Sequence, residues 1–543
     1  MASARRFIIP EYQRPYCWMK EEVEQLWADL KGAHQNSLEI GKADQNNDYF
    51  LGPIVIVSPQ DGGSGLAHVV DGQQRLTTLH TFLWCAYRRL LNDGSSRAIE
   101  KREELNRLLP TARQEPSLAV ARGDQTNLLA LREGTQLDVE TDLGVTGKFL
   151  RDQVLSFGTN LDLISFVEYL LDKVIFVLVE TDGFGSAWDL FIGLNGKGRP
   201  LTPADLIKAF VCGKSPDSIA MADIWAEAVL PLGSDATSAL LDTVRVGTGE
   251  VGSDARLFKM FEKAWNANQV TATLLSDASR LYRTIWQLPI DQVPNLTVGR
   301  RALRGLRQLG RRDHTPVLIA VGNLHGSEAI VDTSLLQALE AYQLWMGVSG
   351  KRGRERNFTA LASRIYRELL SLDTCRFELA KLLREQAPTP SDALKAVENA
   401  TYPGTIMSLI IRQYEEGMRG DIMIDDFQRE HMMPDTPTDY WYGVTGTRDL
   451  AQYRQIVNKI GNITPLDPAT NNTVKNHDWA TKCRWYTQNV PNWLVSEIAR
   501  QNADGWTPGK IAARSLTIAE WAVSKRWNLT ERLSQLAAAS IGR

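Results

Sequence analysis

Cysteine is scarce in this sequence and never paired. The five residues, Cys17, Cys85, Cys212, Cys375 and Cys483, are odd in number, scattered, and form no CxxC motif. That pattern argues against a disulfide framework and against cysteine-ligated zinc. The opening MASARRFIIPEYQRPY lacks the apolar centre of a signal peptide, and no stretch approaches the roughly 18 continuous apolar residues of a membrane span. A reducing cytoplasm and no membrane partner are therefore expected. An excess of one charge is also missing, since the formal net charge is −3. Any nucleic-acid surface has to be a local basic patch on a balanced background. The chain has no internal repeat, no low-complexity tract and no GxxxxGK[ST] loop for a nucleotide's phosphates.

What is present is the mix of an ordinary soluble protein, 43% apolar and 23% charged over 543 residues. A chain this long exceeds the size at which a single core stops growing. The patterning predicts a multidomain α+β protein in three parts. Residues 1–215 mix helices (EEVEQLWADLKGA, RLTTLHTFLWCAYRRLL) with strands (DYFLGPIVIV, LAHVV, KVIFVLVE), an α/β pattern. FGSAWDLFIGLN reads as helical, and Thr202 is placed to cap a helix through TPADLIKAFV. Residues 216–400 carry apolar residues at helical spacing, with a break at the prolines of REQAPTPSDA. Residues 401–543 are rich in tryptophan, an efficient core for a small, loop-rich domain.

Chemistry concentrates near the C-terminal end. FQREHMMP puts Glu430 and His431 at the close of a short apolar stretch, and IVNKIGNITPLDPATNNTVKNHDWATK follows after a loop. Phosphodiester hydrolysis needs a base to deprotonate water and a metal ion to carry charge on the leaving oxygen. A ββα finger supplies both from a short span. His431 on the first strand is the candidate base, and Glu430 with Asn471 on the following helix are the candidate ligands for one Mg²⁺ or Mn²⁺ ion. Asn472 leaves the register of that ligand open by one position, and His477 is a competing histidine. An EH pair alone would more often be a packed histidine.

The full set, Glu430, His431, Pro434, Gly461, Asn462, Asn471 and Lys482, with Trp506 and Arg514, resembles the HNH nuclease superfamily. It is most similar to the EHxxP…GN…N branch seen in modification-dependent restriction enzymes of the GmrSD type. The resemblance implies a C-terminal HNH (ββα-metal) nuclease domain in which Asn462, counted with the catalytic set, orients the histidine or its backbone and Asn471 binds metal.

At the other end, the strand LAHVV runs into DGQQR and then a helix. Asp71 is a candidate helix cap, Gly72 permits a tight turn, and Gln73, Gln74 and Arg75 occupy the first turn, where backbone N–H groups and an arginine suit a phosphate. Together with IPEYQRPYCW and FIGLNGKGRPLTPADLIKAF, this segment resembles the ParB-like N-terminal domain that accompanies the EHxxP nuclease. In that family DGQQR is associated with nucleotide binding and hydrolysis, which implies an NTP cofactor, GTP or another. Asp205 and Lys208 are candidates to approach the same site. Related phosphorothioate-sensing proteins imply that Tyr12, Gln13 and Arg14 form part of a pocket for modified DNA; the plainer reading is a loop packed by Tyr12, Tyr16 and Trp18.

Two basic clusters lie in the middle. Arg300, Arg304, Arg307 and Arg311 share one helical face, and Lys351, Arg352, Arg354 and Arg356 sit together near a glycine. Such faces grip phosphates without sequence preference, although any solvated amphipathic helix has the same pattern. The expectation is an NTP-regulated, metal-dependent DNA endonuclease of anti-phage restriction. It would sense phosphorothioate or glucosylated hydroxymethylcytosine on double-stranded DNA, with a homodimer as a candidate assembly for cutting both strands. Alternatives are an NTP-dependent DNA-binding switch with a degenerate nuclease centre, and an HNH nuclease acting on RNA.

Overall fold

The computed structural model describes the chain except for residues 1–5, 10–14, 40–47, 58–65, 110–117, 121, 182–201, 294–296, 352–354, 402, 421–423, 425–426, 467–474 and 539–543. The described residues are mostly helical, with one five-stranded sheet and one two-stranded ribbon among them. Among the described residues no helix is long and apolar enough to cross a membrane. The chain divides into two compact units, Met1–Pro231 with Asp254–Lys263, and Leu232–Ser253 with Ala264–Arg543.

The sheet of the first unit contains β1 (Arg6–Ile8), β2 (Tyr49–Val57), β3 (Leu66–Asp71), β4 (Leu118–Ala119) and β5 (Val174–Thr181) in the order β4-β1-β3-β2-β5. Among the described strands of this sheet only the β2–β3 pair is antiparallel. Around it run α1 (Lys20–Glu39), α2 (Gln73–Leu90), α3 (Ser96–Leu108), α4 (Arg122–Glu133), α5 (Asp142–Leu155) and α6 (Asn160–Lys173). Trp27 of α1, Phe82 of α2 and Phe166 of α6 meet at ring distances of 5.2–5.4 Å and centre the helical core. The strands and helices read from DYFLGPIVIV, LAHVV, KVIFVLVE and the two amphipathic runs all form. The helix Pro203–Lys214 begins as its sequence indicates: Thr202 accepts from the Asp205 N–H and Asp205 returns the bond to the Thr202 N–H. Asp205 is thereby committed to a capping box. FGSAWDLFIGLN and the LNGKG turn lie outside the described residues.

In the second unit, the described residues up to 400 hold helices and no strand. The proline break is real: the helix Leu372–Gln386 ends, and Thr389 caps a new one at Pro390–Glu398. A boundary at 400 has no counterpart in the compact units, because the middle helices and the C-terminal residues share a core. The Trp345 indole donates to the Trp527 carbonyl at 2.9 Å, and buried Glu340 accepts from Arg526 at 2.9 Å and from Gln413 at 2.9 Å. Periodicity reports which face of a helix is buried, not what buries it.

Candidate active site

Strand β6 (Gln428–His431) pairs antiparallel with β7 (Ile463–Leu466), placing His431 opposite Ile463. A helix, Trp479–Asn489, follows, capped by Asp478 through the Thr481 N–H. The tryptophans do build the local core: Trp441, Trp479 and Trp506 are all buried in it, and the last two stack at 5.4 Å.

His431 is half-buried at the end of β6, with Nε2 3.1 Å from Asn458 Oδ1. An amide oxygen only accepts, so in this contact Nε2 is the donating nitrogen. Burial lowers the imidazole pKa below its ordinary 6.5, and nearby Lys482 adds to this; the Asn458 contact and the charges of Asp435 and Glu430 oppose it. Asn458, on the turn after the helix Leu450–Val457, was missed by sequence reasoning. Its place in NKIGN next to the recognised GN pair was the available signal.

Asn462 is fully buried and does not touch the ring. Its amide donates to the Met433 carbonyl and the Val457 carbonyl, both at 2.7 Å. Its oxygen accepts from the Met433 N–H at 2.8 Å and the Trp506 indole at 2.9 Å. The Met432 N–H adds a bond to the Asn462 carbonyl at 3.0 Å. Asn462 therefore fixes the chain just after His431. Gly461 is required for space: a Cβ there would stand 2.0 Å from the Ile511 carbonyl. Arg514 clamps the same turn, donating to the carbonyls of Gly461 and Ile463 at 2.8 and 2.9 Å.

Glu430 is not beside the imidazole. Successive side chains alternate across a strand, and Glu430 turns inward, where its Oε1 accepts from Lys482 Nζ at 2.8 Å and from the Tyr486 hydroxyl at 2.6 Å. The other expected ligand, Asn471, and its neighbour Asn472 lie outside the described residues. Asp435 and Asn458 offer the oxygen donors that Mg²⁺ prefers. Even so, among the described residues no three His, Cys, Asp or Glu side chains gather to hold a metal, so these residues do not complete a metal site. His477 is exposed, and its carbonyl accepts from the Trp441 indole.

At the N-terminal candidate site, the cap position of α2 belongs to Gly72, at φ 88°, with no side-chain cap. Asp71 instead pairs with Arg75 at 3.4 Å, one turn on. Arg75 also donates to the Leu51 carbonyl at 2.9 Å, crossing β2 at Gly52, where a Cβ would lie 2.2 Å from the guanidinium. Gln74 accepts from the Cys17 N–H at 3.0 Å, and the Tyr16 hydroxyl meets Thr78 at 2.7 Å. Gln73 is buried beside them. These contacts tie the chain after YQRP to the first turns of α2; Tyr12, Gln13 and Arg14 lie outside the described residues.

The four arginines of the stripe are half-buried, and each donates to main-chain carbonyls. Arg307 donates to the carbonyls of Thr284, Ile285 and Leu288 at 2.6–2.8 Å, capping the helix Ala272–Trp286. Arg304 donates to the Ile424 carbonyl, Arg300 to that of Val293 and Arg311 to that of Lys351. A guanidinium bonded to internal carbonyls serves as a structural cation at a helix end or turn. In the second cluster, Arg352 and Arg354 lie outside the described residues.

Two family models match the chain. The GmrSD restriction endonuclease N-terminal domain matches residues 1–212, and the GmrSD restriction endonuclease C-terminal domain matches residues 391–521, a span that holds His431, Asn458, Asn462 and Lys482. No curated protein matches. With both domains in order and together covering more than half of its length, the chain belongs to the GmrSD-type restriction endonuclease family.

Proposed function

We propose that the protein cuts DNA in the restriction of phage genomes, with His431 as general base at an HNH-type centre and a divalent ion, Mg²⁺ or Mn²⁺, as cofactor. The observation that carries this reading is the Asn458–His431 contact on a strand end whose main chain is pinned from both sides. Asn458 holds the Nε2 proton, Nδ1 takes the proton of the attacking water, and the fixed main chain keeps the ring in place through the reaction. A bound divalent ion would neutralise charge on the leaving oxygen.

A general base must be neutral to work. Because burial lowers the His431 pKa, the unprotonated form dominates at neutral pH, and cleavage should persist down to pH 6.5 and fall only in more acid solution. An acid limb centred above 6.5 would contradict His431 as the base.

The proposal extends to the first unit, where the turn at Gly72 and the start of α2 would bind an NTP and the chain around residues 12–14 would read the DNA modification. Support comes from the left-handed turn that opens α2 and from the Gln74–Cys17 bond that joins the two segments. The decisive experiment is a cleavage panel with Mg²⁺ or EDTA. Substrates are matched unmodified, glucosylated and phosphorothioated DNA, with RNA alongside, each with and without GTP. Metal-dependent cutting of one modified DNA, altered by GTP, is expected. Intact DNA under every condition would leave a binding switch, equal cutting of all three DNAs would end the sensor, and preferential digestion of RNA would reassign the substrate.

A further inference from the structure

Lys482 is a lysine with no exposed side-chain surface, one turn into the helix Trp479–Asn489. Its ammonium has three donors, and all three are used: on Glu430 Oε1 at 2.8 Å, on the His431 carbonyl at 2.8 Å and on the Met432 carbonyl at 3.1 Å. Tyr486, four residues on and so on the same helical face, gives its hydroxyl to the same Glu430 oxygen at 2.6 Å.

Burying an ion pair costs desolvation that its own attraction barely offsets, and apolar residues of similar volume often stabilise a fold as well or better. Stability alone is thus a weak reason to place an ammonium here. Its location is more telling, because two of its three donors hold the main-chain carbonyls of the base and of the next residue. From the opposite end, Asn462 holds Met433. Three consecutive residues starting at the base are fixed by side chains from two other elements.

We infer that Lys482 is a positioning residue for the reaction, setting the main chain that carries His431, and that Glu430 serves as its counter-ion and not as a ligand of the catalytic metal. This rests on the reading of His431 as the base.

The test compares the full-length wild type with Lys482→Met, Glu430→Gln and the double variant. Thermal midpoints are recorded, kcat and KM on DNA are measured at a temperature where each variant is folded, and Mn²⁺ affinity is read from the EPR signal of the free ion. Either single change should lower the midpoint, because it leaves one buried charge unpaired, and the double variant should recover most of that loss. In the double variant kcat should remain down by about 10²-fold with KM little changed, as expected when a base is slightly misplaced. Mn²⁺ affinity should stay within about threefold of wild type in Glu430→Gln, below the roughly 10–100-fold loss that removal of a metal's supporting groups produces.

A double variant with wild-type kcat would reduce the pair to a fold element and overturn the positioning role. A loss of Mn²⁺ affinity in Glu430→Gln that is absent from Lys482→Met would return Glu430 to the metal. A wild-type chain inactive on DNA with every metal would count against the nuclease reading itself, an outcome separate from both.

Discussion

Replacing His431 with alanine is expected to lower DNA cleavage by about 10²–10⁴-fold while duplex binding stays near wild type. Asn458 contacts the ring at Nε2, and the ring stands at the end of a strand whose stability comes from backbone pairing and from Lys482 and Asn462. Removing it deletes the basic nitrogen and leaves those supports intact, so the variant should fold. The natural control is His477→Ala, since His477 is exposed and its only described role is the carbonyl that accepts from Trp441. That substitution should leave the rate unchanged. Plasmid linearisation measured beside filter binding separates the two quantities. Residual activity within about tenfold of wild type in the His431 variant would show that another group takes the proton.

Asn462→Ala should have the largest effect on stability. All four hydrogen-bonding positions of this amide are used inside the protein, on Met433 twice, Val457 and Trp506. Truncation strands two carbonyls and two N–H groups in a space with no exposure, each at a cost of about 1–3 kcal/mol when left unmet. The sum is not additive, but a loss of roughly 3–5 kcal/mol is expected, a large share of the about 5–15 kcal/mol that holds a typical domain. Urea unfolding followed by tryptophan fluorescence suits the measurement, because Trp506 and its stacked partner Trp479 report on this core. A change below about 1 kcal/mol would mean that the loop holds its shape without the amide.

The parts of the molecule legible from sequence were those written in short-range patterns. Runs of β-branched residues marked β2, β3 and β5, and Thr202 with Asp205 announced a helix start three residues apart. The site residues His431, Asn462 and Lys482 do come together, because the sequence spacing that suggested a ribbon and a helix is the spacing the fold uses. What spacing did not show was which partner each polar group would take. The four arginines from Arg300 to Arg311 share a face, as their spacing requires, yet that face meets the carbonyl ends of other segments, and periodicity is silent on this. Asp71 had the chemistry of a cap, but Gly72 took the position and Arg75 took the carboxylate.

Glu430 is the instructive case. Its neighbour on a strand had to face the other way, so setting a metal ligand at Glu430 directly beside a base at His431 was already in tension with the predicted strand. Asn458 illustrates the converse, since an asparagine in a turn has several local uses and only the folded chain shows it against an imidazole.

The division into units also bears on how such a protein can be inherited. The chain leaves the first unit at Pro231, returns for Asp254–Lys263, and departs again. In that returning stretch Phe258 packs its ring 5.9 Å from Phe210. Recombination at a single junction after residue 231 would join a foreign second unit to a first unit deprived of part of its own interior. Exchange of either unit for a relative's therefore needs matched breakpoints on both sides of this excursion.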